Sequence, residues 1–229
     1  MRSEFAAVVV LASLMAMSSA HAQTPPSAAE IASYRGLHAA AARGDAGAIG
    51  GLVAGGAAID AKDGTGRTAL HVAAFGSRYD VVRALVAQGA DPRALDHQRY
   101  DIVTIAAVKD VVAMVELAIA LGSDAKAITS PYDGTALIAA AHLGHDGVVA
   151  VLIRAGAPLD HVNNLGWTAL IEAIVLGQGG PRHVACLKAL LDAGADPNRA
   201  DRNGVRPLQL ARSRGFGPMA AAIETAGGR

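Results

Sequence analysis

The 229-residue chain holds a single cysteine, Cys186, so it forms no internal disulfide and builds no thiolate metal cage. Its 20 basic and 20 acidic side chains cancel. That removes the electrostatic case for a nucleic-acid partner, because a phosphate binder needs surplus Lys and Arg. Aromatic residues make up only 3% of the chain. No apolar run reaches the roughly 20 residues needed to span a bilayer. What is present instead is a chain that is 52% apolar and rich in Ala and Gly. That is too apolar for disorder, and the chain is long enough to bury a substantial core.

The first residues read as an export signal. Arg2 supplies a weak basic start, an uncharged apolar run follows from Phe5 to Met17, and Ala20-His21-Ala22 gives a small-x-small cleavage pattern before Gln23. The run is 13 residues long, too short for an anchor. No cysteine follows it directly, which argues against a bacterial lipid attachment. The expectation is a leader over 1–22, a Pro-led spacer over 23–29 and a bacterial protein of the periplasm or cell exterior. Export also argues against a cytosolic enzyme that draws on ATP or NAD.

From residue 30 onward the chain repeats itself. Thr68-Ala69-Leu70-His71-Val72-Ala73-Ala74 has counterparts at Gly36-Leu37-His38-Ala39-Ala40 and Thr135-Ala136-Leu137-Ile138-Ala139-Ala140-Ala141, among others. The aligned residues Leu37, Leu70, Val103, Leu137, Leu170 and Leu208 are spaced 33, 33, 34, 33 and 38 apart. A fixed period of this length signals stacked supersecondary units, none of which can bury its apolar stripe alone. Each unit carries a second apolar stretch, such as Val148–Ile153 or Cys186–Leu191, closed by Gly-Ala-Asp or Gly-Ala-Pro. The glycine there suits a left-handed helix cap, and the polar stretch beyond it suits a hairpin finger.

These signatures, Gly66-x-Thr-Ala-Leu-His-x-Ala-Ala74, Gly144-His145 between helices and Gly-Ala-Asp at the finger, resemble the ankyrin repeat family. The resemblance implies an all-α solenoid of stacked helix-turn-helix units with β-hairpin fingers. Six units are expected, at about 30–62, 63–95, 96–129, 130–162, 163–200 and a capping 201–229, with an insertion at 178–182 in the fifth. Leu85, Ala118, Leu152 and Leu190 are expected to fill the second-helix layer.

The resemblance also implies a non-catalytic scaffold that binds another protein in its concave groove as a monomer without a cofactor. Five of the seven aromatics beyond Phe5 fall on concave positions: Tyr34, Phe75, Tyr100, Tyr132 and Trp167. With a core expected to be built of Ala, Val, Leu and Ile, these rings read as exposed interface anchors. Leu165, Leu143, His142, Arg67 and Lys109 complete the candidate partner-binding surface. A narrower version makes the partner an exported enzyme, for which the chain is a toxin antagonist or an oxidative-stress accessory.

Glu172 stands where other units have Val72, Ile105, Ala139 or Leu210. A carboxyl there needs a partner or a raised pKa. Arg182 and His183, at and beside the insertion, are the expected partners. The alternative is a small-molecule or metal site, or an enzyme, centred on Glu172 and the 178–182 loop. Gly177-Gln178-Gly179-Gly180 lacks the Lys-Ser/Thr ending of a phosphate loop. His142 and His145 lack the further ligands a metal needs. His38 and His71 are expected to bond finger backbone, and Cys186 sits on an apolar face where a thiol is inert.

Overall fold

A computed structural model describes residues 23–229, so the leader expected over 1–22 lies outside the described residues. Among the described residues there are thirteen helices and no strand. A short α1 (Ala28–Ser33) precedes six helix pairs. These are α2 (Gly36–Arg43) with α3 (Gly47–Ala54), α4 (Ala69–Phe75) with α5 (Tyr79–Ala87), and α6 (Ile102–Val108) with α7 (Val112–Ala120). They continue as α8 (Ala136–Leu143) with α9 (Asp146–Arg154), α10 (Ala169–Val175) with α11 (Pro181–Asp192), and α12 (Pro207–Ser213) with α13 (Gly217–Thr225). The helix α1 begins inside the stretch expected to be spacer. Ser27 accepts the Glu30 N–H while the Glu30 carboxylate accepts the Ser27 N–H, a capping box that starts a helix there.

The first helices α2, α4, α6, α8, α10 and α12 stack in order into one layer, and the second helices lie against them. Small side chains make the close approach possible: Ala40, Ala41, Ala73, Ala74, Ala106, Ala107, Ala140 and Ala141 are all buried. Leu85, Ala118, Leu152 and Leu190 are fully buried in the second layer, as the repeat predicts. Cys186 lies among them, and burial pushes its thiol up to about 12.

The first helices α6, α8 and α10 start at a capping side chain. Thr135 and Thr168 accept the N–H three residues on, and Asp101 does the same for α6 at 2.8 Å. The third unit, whose sequence departs most from the repeat, therefore keeps the cap by different chemistry. In α4 the cap region is tied to its neighbour through His71. Its Nδ1 accepts the Thr68 N–H at 3.2 Å, which leaves Nε2–H to donate to the Tyr100 carbonyl at 3.0 Å. His38 Nε2 likewise meets the Arg67 carbonyl at 2.9 Å.

The fingers are tight loops, with one isolated bridge between Ile128 and Thr135 in place of hairpin ladders. Their closure is local. Asp63 Oδ1 accepts the N–H groups of Thr65 and Arg67 at 2.9 Å, and Asp96 serves Gln98 and Tyr100 at the same distance. Ser130, Asn163 and Asp201 repeat the arrangement in the later fingers. Side-chain oxygens take the donors that a ladder would otherwise use, which is the Asx-type alternative to a strand.

Candidate partner-binding groove

A pocket of about 370 Å³ opens where the third to fifth fingers meet the first-helix layer. The fingers contribute Tyr100, Tyr132 and Leu165, and α8 contributes Ile138, His142 and Leu143. Its walls are apolar, and Leu143 is 40% exposed at its edge. Five of the ten residues expected to contact a partner are thus brought together: Tyr100, Tyr132, His142, Leu143 and Leu165.

The other five are not part of it, and four expectations need correction. Tyr34, Phe75 and Tyr100 are buried members of the continuous core, so core packing does account for those rings. Tyr34 and Tyr100 stand just before first helices and Phe75 ends α4, and Tyr100 alone of the three also borders the pocket. Arg67 is equally buried, because it is held between two acids. Its Nε pairs with Asp63 at 2.8 Å, its Nη2 pairs with Glu30, and the Tyr34 hydroxyl donates to Asp63 Oδ2 at 2.7 Å. Burial raises the Asp63 pKa, but hydrogen bonds from Tyr34, Arg67 and Thr65 outweigh it and hold the carboxyl well below the usual range. Lys109 is exposed, with its ammonium donating to the Phe75 carbonyl. Trp167 is half-buried in the fifth finger, outside the pocket lining.

Glu172 lies at the pocket, 5% exposed. It does not pair with the insertion. Arg182 instead reaches Asp110 and Asp146 at 2.8 Å each, and His183 Nε2 meets the His142 carbonyl at 2.9 Å. The insertion extends the start of α11, with Pro181 in its first turn, and this carries Arg182 towards the second-helix side and away from Glu172. The partner of Glu172 is Asn163, whose Nδ2 donates to Oε1 at 2.6 Å. His142 Nδ1 stands 3.6 Å from Oε2, beyond hydrogen-bond distance. Burial raises the Glu172 pKa to about 8, the Asn163 hydrogen bond opposing it only in part. Burial also lowers the His142 pKa, helped by the neighbouring His183 and His145. At neutral pH the pair is a protonated carboxyl beside a neutral imidazole.

Two members of the site carry no motif. Asn163 is detectable only by comparing fingers: Asp63, Asp96 and Asp201 occupy its place elsewhere, and the amide appears in the unit that contains Glu172. Gln23 lines the pocket from the N-terminal segment, with both amide atoms enclosed and without a hydrogen-bond partner. Nothing in its sequence context marks it. Among the described residues, no group of three or more His, Cys, Asp or Glu side chains is placed to hold a metal.

The model for ankyrin repeats in three copies matches residues 21–96 and 103–201. The chain belongs to the ankyrin repeat family. An ankyrin repeat domain from Acinetobacter baumannii AYE shares 41% identity, with a TM-score of 0.79 over 84% of this chain and 98% of that one. The ankyrin repeat domain of Bcl-3 shares 28% identity, with a TM-score of 0.77 over 86% and 88% of the two chains. The ankyrin repeat protein YahD of Escherichia coli K12 is 39% identical over 97 residues, which is 42% of this chain. That match spans 48% of YahD's length, about half of the relative. Ankyrin repeats generally mediate protein–protein interaction and are generally not catalytic scaffolds.

Proposed function

We propose that this ankyrin repeat protein is a non-catalytic adaptor that binds a partner protein in the groove between its third to fifth fingers and helices α6, α8 and α10. The observation that carries this reading is the pocket itself. It gathers Tyr132, Leu165 and Leu143 around an apolar recess, the composition of an interface core with rigid anchors. The setting is outside the cytoplasm, in keeping with the leader expected over 1–22. There the partner is an exported protein, with an exported enzyme under its regulation as the narrower form.

The test is affinity capture from the exported fraction, with the wild type beside a Tyr132→Ala/Leu165→Ala variant that keeps its circular dichroism and unfolding midpoint. A protein retained by the wild type and lost by the variant supports the groove. Equal retention by both moves the interface elsewhere on the solenoid.

A further inference from the structure

We infer that the pocket beside Glu172 is a socket for one lysine or arginine side chain of the partner protein, with the carboxyl of Glu172 as its counter-charge. This rests on the groove reading above and names the chemistry that the partner must present.

Four observations converge on a cation with an aliphatic stem. The recess is lined mainly by carbon, including Val108, Ile138 and Leu176, so it accepts methylenes. It contains one acidic side chain, Glu172, and no lysine or arginine among the described residues that line it. Glu172 Oε1 is taken by Asn163, while Oε2 makes no hydrogen bond among the described residues. Tyr100 and Tyr132 border the same space, and aromatic rings favour a desolvated cation.

Gln23 adds an independent polar group to the same space. Its amide oxygen is enclosed at the pocket without a donor, and its amide nitrogen without an acceptor. A buried amide without partners is costly, and an ammonium or guanidinium offers the oxygen the donor it lacks. A carboxylate or phosphate on the partner would face Glu172 and find no cation. A purely apolar side chain would leave the carboxyl and the amide as they are.

Burial raises the Glu172 pKa to about 8, which holds the carboxyl protonated at neutral pH. Seating a cation reverses that balance, so Glu172 releases its proton as the ligand enters. The other titratable groups facing the site are His142, with its pKa lowered by burial, and the hydroxyls of Tyr100 and Tyr132. His142 is already neutral and burial pushes the Tyr100 hydroxyl up to about 12, so proton release reports Glu172.

The experiment titrates the purified protein with N-acetyl-lysine methylamide and N-acetyl-arginine methylamide. The norleucine analogue and 1,5-pentanediamine serve as controls. The readouts are the Asn163 side-chain amide resonance and the buffer dependence of the binding enthalpy. The expected result is a shift of the Asn163 amide by a basic probe, at least about tenfold weaker binding of norleucine, and release of about one proton near pH 7. Glu172→Gln, which keeps a side chain able to bond Asn163, should abolish both the preference and the proton release.

Equal binding of norleucine overturns the socket, as does an unchanged preference in Glu172→Gln. Tighter binding of the diamine than of either amino-acid probe also overturns it, in favour of a small free amine. If a captured partner depends on Tyr132 and Leu165 while neither basic probe binds, the socket fails and the groove stands. If the partner ignores those residues, the groove reading fails whatever the probes do.

Discussion

Asn163 donates to Glu172 Oε1 at 2.6 Å while its own Oδ1 accepts the Leu165 and Trp167 N–H groups at 3.0 Å. One side chain therefore closes the fourth-to-fifth finger and meets the buried carboxyl of the helix that follows. The equivalent residue in the second unit, Asp63, closes its finger with a carboxylate and is balanced by Arg67. In the fifth unit Trp167 stands where Arg67 does in the second. The fifth unit uses an amide, and its acid sits one helical turn into α10.

Stability should fall as pH rises through the window set by Glu172. Its ordinary pKa of 4.5 applies to the unfolded chain, and burial raises it to about 8 in the fold. Between those values the folded chain holds a proton that the unfolded chain has released. The contribution is complete below the lower value, declines by about 1.4 kcal/mol per pH unit through the window, and levels off above the upper one. His71 and His142, both with lowered pKa, act in the opposite direction below their ordinary value of 6.5. The difference between wild type and Glu172→Gln isolates the carboxyl. Urea midpoints at pH 5 and pH 8 should separate the two proteins at pH 8 in favour of the glutamine variant, and an equal pH dependence in both refutes the assignment.

Asn163→Asp should be more damaging than its size suggests. The new side chain still closes the finger through Oδ1, but it removes the Nδ2 donor and sets a second acid against Glu172. A lost buried hydrogen bond costs about 1–3 kcal/mol at neutral pH, where Glu172 still holds its proton. The loss should grow as pH rises above about 8, where both acids ionise and repel. Thermal unfolding at pH 6 and pH 9 checks this, and a penalty independent of pH would point to finger geometry instead.

Much of the fold is legible in the sequence, because the repeat is redundant. Leu85, Ala118, Leu152 and Leu190 recur at one register, and each unit tests the assignment made for the last. Position alone misleads where a side chain's surroundings come from another unit. Tyr34 and Arg67 occupy positions that resemble exposed ones in the repeat, yet Asp63 and Glu30 enclose them in a network built partly by α1. The same holds for Glu172. Sequence proximity favoured Arg182, whereas the cap of α11 turns that residue towards Asp110 and Asp146 and leaves Asn163, from the preceding finger, as the contact.

Replacing Arg67 by leucine should cost about 3–5 kcal/mol, the penalty for removing one member of a buried ion pair. Asp63 would keep the hydrogen bonds from Tyr34 and Thr65 but lose its counter-charge. In the wild type its pKa lies below the ordinary value of 3.8, so its stabilising contribution is present above that value and is lost as pH falls below it. Acid unfolding should therefore begin at higher pH in Arg67→Leu than in wild type. Coincident acid transitions would show that the network contributes little.

The insertion in the fifth unit offers a comparison between charge and packing. Arg182 bridges Asp110 and Asp146, but the arginine side chain is 54% exposed, and surface pairs of this kind contribute about 0–1 kcal/mol. Gly177, at the other end of the loop, has no room for a side chain. A Cβ there would collide with the Ala173 carbonyl oxygen and the His183 ring, while its own carbonyl accepts from Arg214 at 3.2 Å. Relief would require moving the end of α10 or displacing His183 from the His142 carbonyl, so Gly177→Ala should cost about 1–3 kcal/mol as an overpacking change. Arg182→Ala should cost less and should lose its effect in high salt. Chemical denaturation of both variants at low and high ionic strength decides which device holds the loop. If Arg182→Ala is the more damaging of the two, the bridge to Asp110 and Asp146 outweighs the backbone packing at Gly177.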